Sequence, residues 1–460
     1  MRHRAAVIVA LALTTGLAAG CGGVGSSSGG GGGGQATAGS FAGTPTGNLN
    51  IMGFGGEDEV AQARIDTFQK AAPDVKVTHN KGDFDAQQFL TALASGNPPD
   101  LVYMSRALIG TYAAQGAIQP LTDCIKDQQI DTSQYRPAAM TSVTLKKVVY
   151  GIPEFYTVTV NLIDTTSVKE AGLSSADIQT KDWPALQATA TKIYKANGNQ
   201  IQRVGYDTKI PDSFPLWALA NSVQLVKEDG APNLNDPKAV EALDFNLKMV
   251  QAQGGWTNFK SWRDSFDIFG AQNPITSHRL GAMPMESFYV NVLAGFIDKG
   301  TTLDSTLVTD KQGQPVSTIG GQAWAIPKGA KNPVAACAWA KTMTQTDTWM
   351  AAAKARAATV EKKNSIFTGL YTANTKADAQ IREMYVKPGK DPGFDKAIAN
   401  VYTALDAGKA LNPSAAGAEI DAAWKSAVSR ALGGSQSAQA ALDQAQQEAK
   451  TAFDKAPKNG

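Results

Sequence analysis

Leu93-Ala-Ser-Gly-Asn-Pro-Pro-Asp-Leu-Val-Tyr-Met104 joins the two patterns that decide the fold. Phe84 to Ser95 suits a helix, and Gly96-Asn-Pro-Pro99 ends it, since proline lacks an amide hydrogen and restricts the residue before it. Asp100-Leu-Val-Tyr-Met104 then reads as a strand. Upstream, Val75-Lys-Val77 alternates like a strand. Val60 to Ala72 reads as a helix with Val60, Ala63, Ile65 and Phe68 apolar, stopped by Pro73-Asp74. Asn48-Leu-Asn-Ile-Met52 is a further strand, running into Gly53-Phe-Gly-Gly-Glu57, a turn whose backbone can approach another group closely. Strands alternating with helices predict an α/β body with parallel pairing.

Downstream the pattern holds. Asp182-Trp-Pro-Ala-Leu starts a helix with Pro184 near its first position, and Asn235-Asp-Pro-Lys starts another with Pro237 in the first turn. Val240, Leu243, Leu247 and Val250 then share a face. Two closing helices, Asp421 to Leu432 and Ala438 to Phe453, flank Gly433-Gly434.

The amino terminus reads differently. Met1-Arg-His-Arg4, an apolar stretch from Ala5 and Leu17-Ala-Ala-Gly-Cys21 have the parts of an export signal over residues 1–20. The apolar part is shorter than the ~20 residues of a membrane span. Small residues ending in Cys21 resemble the lipobox of bacterial lipoproteins, although Ala18 stands where leucine is preferred. That resemblance implies a lipid on Cys21 and anchoring at the outer face of the cell membrane. Residues 21–47, with the run Gly29 to Gly34, then read as a tether with a reach of roughly 25–30 Å.

About 413 residues follow, more than one core comfortably serves, which predicts two lobes. Apolar residues make up 43% and charged ones 18%, as in a globular protein. With 43 basic and 41 acidic residues the net charge is +2, so there is no electrostatic footprint for nucleic acid. Outside the cytoplasm Cys124 and Cys337 could form a disulfide or stay two buried thiols; sequence does not place them within bonding distance. Beyond the signal, the chain's histidines are His79 and His278, and no His or Cys pair has metal-ligand spacing. Gly25-Ser-Ser-Ser-Gly29 matches a nucleophile-elbow pattern but lies in the tether, without the strand and helix that would strain it. No catalytic residue, cofactor or metal is expected.

Six segments carry a family resemblance. They are Phe68-Gln-Lys-Ala-Ala-Pro-Asp-Val-Lys-Val77, Leu93 to Val102, Gly116-Ala-Ile-Gln-Pro-Leu121, Tyr150-Gly-Ile-Pro153 with Asn161, Arg279-Leu-Gly-Ala-Met-Pro-Met285, and Gly320-Gly-Gln-Ala-Trp-Ala-Ile-Pro-Lys328. In this order they resemble the extracellular solute-binding proteins of carbohydrate importers of the ATP-binding-cassette class, the maltose-binding type. The resemblance implies a two-lobed periplasmic-binding-protein-like fold with a hinge and an interlobe ligand cleft. It implies residues 48–157 and 322–365 in lobe 1, 158–321 and 366–460 in lobe 2, and crossings near 157, 321 and ~366. It also implies a monomer that hands a carbohydrate to a permease. The chain departs from the family after Ala351, where Lys354-Ala-Arg-Ala-Ala-Thr359 replaces a common Gly–Pro-like step.

Sugar recognition needs aromatic faces for the C–H side of a pyranose and planar polar groups for its hydroxyls. The resemblance nominates Phe54 and Glu57 in the first turn, then Met104, Ser105 and Arg106 after the strand from Asp100. Near the hinge it nominates Glu154, Phe155, Tyr156 and Thr157. From the second lobe come Phe214, Trp217, Glu286 and Tyr289, and Trp324 follows the return crossing. The sharpest expectation is one site built by Glu286, Tyr289, Phe214 and Trp324. Trp424 shares a helical face with Ile420 and Val428 and reads as core. Other readings keep the fold but change the solute to a glycerophosphodiester or polyol, or make the chain a surface-anchored glycan hydrolase or a structural surface protein.

Overall fold

The computed structural model describes residues 40–457 except Lys81. The export signal, Cys21 and most of the tether lie outside the described residues. The folded body begins earlier than residue 48. Phe41 is buried, its amide donates to Asp127 Oδ2 at 3.1 Å, and Gln128 Nε2 donates to its carbonyl at 2.6 Å. Through this buried phenyl, residues 40–47, which the composition assigns to the tether, dock on the folded body.

Two five-stranded sheets form the frame. In the first, Gly47–Met52 pairs in parallel with Val75–His79, Leu49 opposite Val77, and with Leu101–Ser105. The returning strand Gln322–Ala325 lies antiparallel to Leu101–Ser105, with Trp324 opposite Tyr103, and also pairs with Ile152–Pro153. In the second, Thr159–Asp164 sits between Leu303–Leu307 and Leu280–Glu286, antiparallel to both. Leu280–Glu286 runs parallel to Gln200–Tyr206, which is joined in a hairpin to Lys195–Asn197.

Helix starts follow the side chains that cap them. Asp58 accepts from Ala61 N–H and opens Glu59–Ala71; Asp182 and Asp236 do the same for Trp183–Ile193 and Pro237–Gln251. The closing helices are Gly417–Leu432 and Ala438–Lys455.

The chain crosses between the sheets three times. The first two crossings pair with each other: Thr157 N–H donates to the Gly320 carbonyl at 3.1 Å and Gly320 N–H returns to the Thr157 carbonyl at 3.0 Å. The third lies later than ~366. Tyr371–Ala373 pairs with Glu154–Tyr156, and Phe367, Leu370, Ala377 and Ile381 pack with Val60 and Trp349 of the first lobe. After them, Pro392–Ala407 packs on Leu303–Leu307 and Thr159–Asp164 of the second sheet, so the chain changes lobes between Tyr385 and Pro392. Gly417–Leu432 touches both lobes. Cys124 and Cys337 form a disulfide with Cα atoms 5.8 Å apart, joining the helices Thr122–Asp127 and Pro333–Thr344.

Candidate ligand-binding site

The crossings rest on a buried charged foundation. Arg64 Nη1 lies 2.6 Å from Glu154 Oε1, and both side chains are almost fully buried. Tyr103 also donates to Glu154 Oε1, at 3.1 Å. Burial pushes the Glu154 carboxyl up, opposed by the Arg64 charge. The guanidinium of Arg64 lies 4.4 Å from the Trp349 ring and 5.3 Å from Phe155, so aromatic faces replace the water it gives up.

Arg106, buried at the end of Leu101–Ser105, binds the crossings to each other. It donates to the Phe155 carbonyl on one crossing and the Gly320 carbonyl on the other. Burial lowers its pKa to about 10, which leaves it charged at neutral pH. Tyr156 lies between two guanidiniums, Arg106 at 5.7 Å and Arg136 at 5.3 Å from its ring. Burial pushes its phenol up to about 12.

Two cavities flank this junction, and Gly321 lines both. The first, 110 Å³, is bordered by Ser105, Arg106, Ile319, Asn412, Asp421 and Trp424. It is smaller than the usual small-molecule range of about 300–1,000 Å³. The second, 390 Å³, is bordered by Asp58, Phe155, Thr157, Glu286, Phe288, Asn291, Arg356 and Tyr371, with residues from both lobes. It falls in the usual small-molecule range of about 300–1,000 Å³. A wider groove of 970 Å³ lies between the turn at Lys146 and Lys147 and the turn at Glu228 and Asp229, and no crossing residue lines it.

The second cavity has the chemistry that hydroxyl-rich ligands need. Glu286 ends its strand with its carboxylate open to solvent and bonded by the Thr157 side chain. The surrounding protein displaces enough water to raise its pKa, and Lys209 opposes this. Gly320 makes room for the pair, since a Cβ there would lie 2.5 Å from Thr157 Oγ1 and 3.2 Å from Glu286 Oε1. Across the cavity Arg356 Nη2 meets Asp58 Oδ2 at 3.0 Å, and its Nε donates to Glu59. The departure after Ala351 explains Arg356: helix Thr346–Lys362 runs straight through it and carries the guanidinium to the cavity's edge.

The nominated residues divide sharply. Phe155, Thr157 and Glu286 line the second cavity, Ser105 and Arg106 the first, and Glu154 is buried against Arg64. Glu57 is exposed in the turn before Glu59–Ala71. Seven others are corrected to core. Trp324 is fully buried, its ring 4.5 Å from Tyr103 and 5.2 Å from Phe54, which is itself buried. Met104 and Phe214 are fully buried, and so is Trp217, whose Nε1 donates to the Thr208 carbonyl at 2.9 Å. Tyr289 is buried and donates to the Ile268 carbonyl at 2.6 Å; Tyr156 is buried between its two arginines. The expected four-residue site therefore keeps only Glu286. Trp424 is buried, as its helical stripe predicts, yet it also borders the first cavity, a role the stripe hides. Asp58, Asn291, Arg356 and Tyr371 were not foreseen. Asp58 and Arg356 lie almost 300 residues apart, so local pattern holds no signal for their pairing.

Two sheet-bearing lobes joined by paired crossings, with a polar and aromatic cavity at the junction, define the architecture of a two-lobed solute receptor. The model of the bacterial extracellular solute-binding protein family matches residues 55–348, and the chain belongs to that family. No curated protein sequence matches this chain. Among solved structures, CpMnBP1 with mannotriose bound is similar at TM-score 0.69 and 23% identity, covering 88% of this chain and 100% of that one. The acarbose-binding GacH receptor of Streptomyces glaucescens gives 0.67 and 18%, covering 89% and 99%. The sugar-binding protein MalE of Xanthomonas citri gives 0.66 and 17%, covering 89% and 98%. At these identities the likeness is one of fold.

Proposed function

We propose that the chain is a lipid-anchored, extracytoplasmic receptor that captures a mono- or oligosaccharide between its lobes and presents it to an ATP-binding-cassette permease. The observation that carries this is the 390 Å³ cavity, where carboxylates (Asp58, Glu286), an amide (Asn291) and aromatic rings (Phe155, Phe288, Tyr371) converge from both lobes. Ligand bridging the lobes stabilises the closed form by its differential affinity, and no bond is made or broken. The family membership and the sugar-bound neighbours support the reading. The Cys21 anchor rests on the lipobox-like sequence alone.

A phosphorylated solute fits less well. Arg106 is committed to two carbonyls, and Arg356 to Asp58 and Glu59. A thermal-shift screen over neutral sugars, polyols and glycerophosphodiesters, followed by calorimetry, tests the assignment. A neutral sugar is expected to bind, and Glu286→Gln to weaken it about thirtyfold or more, the size of a lost ligand anchor of about 2 kcal/mol. Stabilisation by phosphodiesters alone would contradict it.

A further inference from the structure

Phe269 is 59% exposed, the most exposed of the large apolar side chains among the described residues. A single exposed phenyl is ordinary on a protein surface; what sets this one apart is its place beside the cavity. The backbone of Phe269 is held in place. Its amide donates to Asp267 Oδ1 at 3.1 Å, and Gly270 N–H donates to the Asp267 carbonyl at 3.1 Å. The buried Tyr289 fixes the preceding residue through its bond to the Ile268 carbonyl. Tyr289 thus acts behind the loop, positioning the residue next to it.

The exposed ring is continuous with the cavity. Phe269 stacks on Phe288, centroids 6.5 Å apart and planes at 24°, and Phe288 lines the 390 Å³ cavity. One aromatic strip therefore runs from inside the cavity to its outer side on the second lobe. Exposed Asp267 stands beside the outer ring as a hydroxyl acceptor. A flat apolar face with an adjoining carboxylate is the pairing that a pyranose needs.

We infer that Phe269 forms an outer subsite that stacks a second sugar unit of the same ligand, so that the receptor selects oligosaccharides over monosaccharides. The inference rests on the reading of the inner cavity as a sugar site. The occupant is a further unit of one chain, because Phe288 gives it a continuous path from the cavity.

The test is calorimetry on the full chain with manno- and malto-oligosaccharides of one to three units. Affinity in the wild type should rise with length. Phe269→Ala should lower affinity about tenfold for the member that reaches the outer ring and less than twofold for the next shorter one. Phe269→Tyr should retain it. Thermal melts of the unliganded variants should be unchanged, because the ring supports no core. Equal loss at every length, or no loss at any length, overturns the subsite while leaving the inner site standing. If the wild type binds no member of either series and no other neutral sugar of the screen, the sugar reading falls and the subsite with it.

Discussion

Replacing Glu154 by glutamine removes one charge of a buried pair and changes almost nothing in shape. At 2.6 Å and an effective dielectric near 20, the Arg64–Glu154 attraction is about 6 kcal/mol. The glutamine carbonyl can still accept from Arg64, and such a bond to a charged donor is worth about 1.5–3 kcal/mol. The balance is a loss of about 3–5 kcal/mol, the range that follows removal of one partner from a buried pair. The guanidinium is left charged among Phe54, Phe155 and Trp349, which explains why the loss is not recovered. Urea denaturation at pH 7 of the wild type, Glu154→Gln, Arg64→Met and the double variant measures it. The double variant buries neither charge, so it should lose at least 1 kcal/mol less than the sum of the singles. A single-variant loss under 1 kcal/mol, or strict additivity, would refute the reasoning.

Arg106→Met should loosen the junction: hydrogen exchange at Phe155–Thr157 and Gly320–Gln322 should speed up at least tenfold while exchange at Gln200–Tyr206 is unchanged. Gly320→Ala should displace Thr157 or Glu286 and lower sugar affinity at least tenfold, with little change in the unliganded melt; calorimetry reads the first and a thermal melt the second. Burial raises Asp378 to about 6, against the opposing charge of Arg136. Its folded pKa lies above its unfolded value, so the folded state binds the extra proton and this group's contribution to stability falls as pH rises from about 4 through 6. In Asp378→Asn that part of the pH–stability curve should flatten, as melts at pH 4, 5, 6 and 7 would show. Cys337→Ser should cost about 2–5 kcal/mol by opening a cross-link between residues 213 apart, read as a lower melting temperature under non-reducing conditions.

Two helix starts were legible because the signal is local: Asp182 and Asp236 each cap the helix that follows within three residues, beside a proline in its first turn. Five of the six ordered motifs located strands for a related reason, since each touches one strand and an adjoining turn; Gly116–Leu121 instead joins two helices. The aromatic residues were not legible, and Trp324 shows why. Its neighbours Ala323 and Ala325 belong to one core cluster and Trp324 to another, so both faces of the strand are buried and alternation carries no information. Phe214–Ala220 is buried on all sides, and nothing in its composition separates a core helix from one facing a ligand. Glu286 was legible because it follows the Gly-Ala-Met strand motif, at the strand end where the resemblance places a ligand turn, with Phe288 and Tyr289 close by. Arg356, the third crossing and the disulfide depend on contacts between distant segments, which no local pattern encodes.

The most direct measurement is a crystal structure of the protein with the tightest-binding sugar of the screen. The account predicts one pyranose in the 390 Å³ cavity, its hydroxyls on Glu286 from the second lobe and Asp58 from the first, with a ring face against Phe288. A sugar seated elsewhere, or held by one lobe alone, would contradict it.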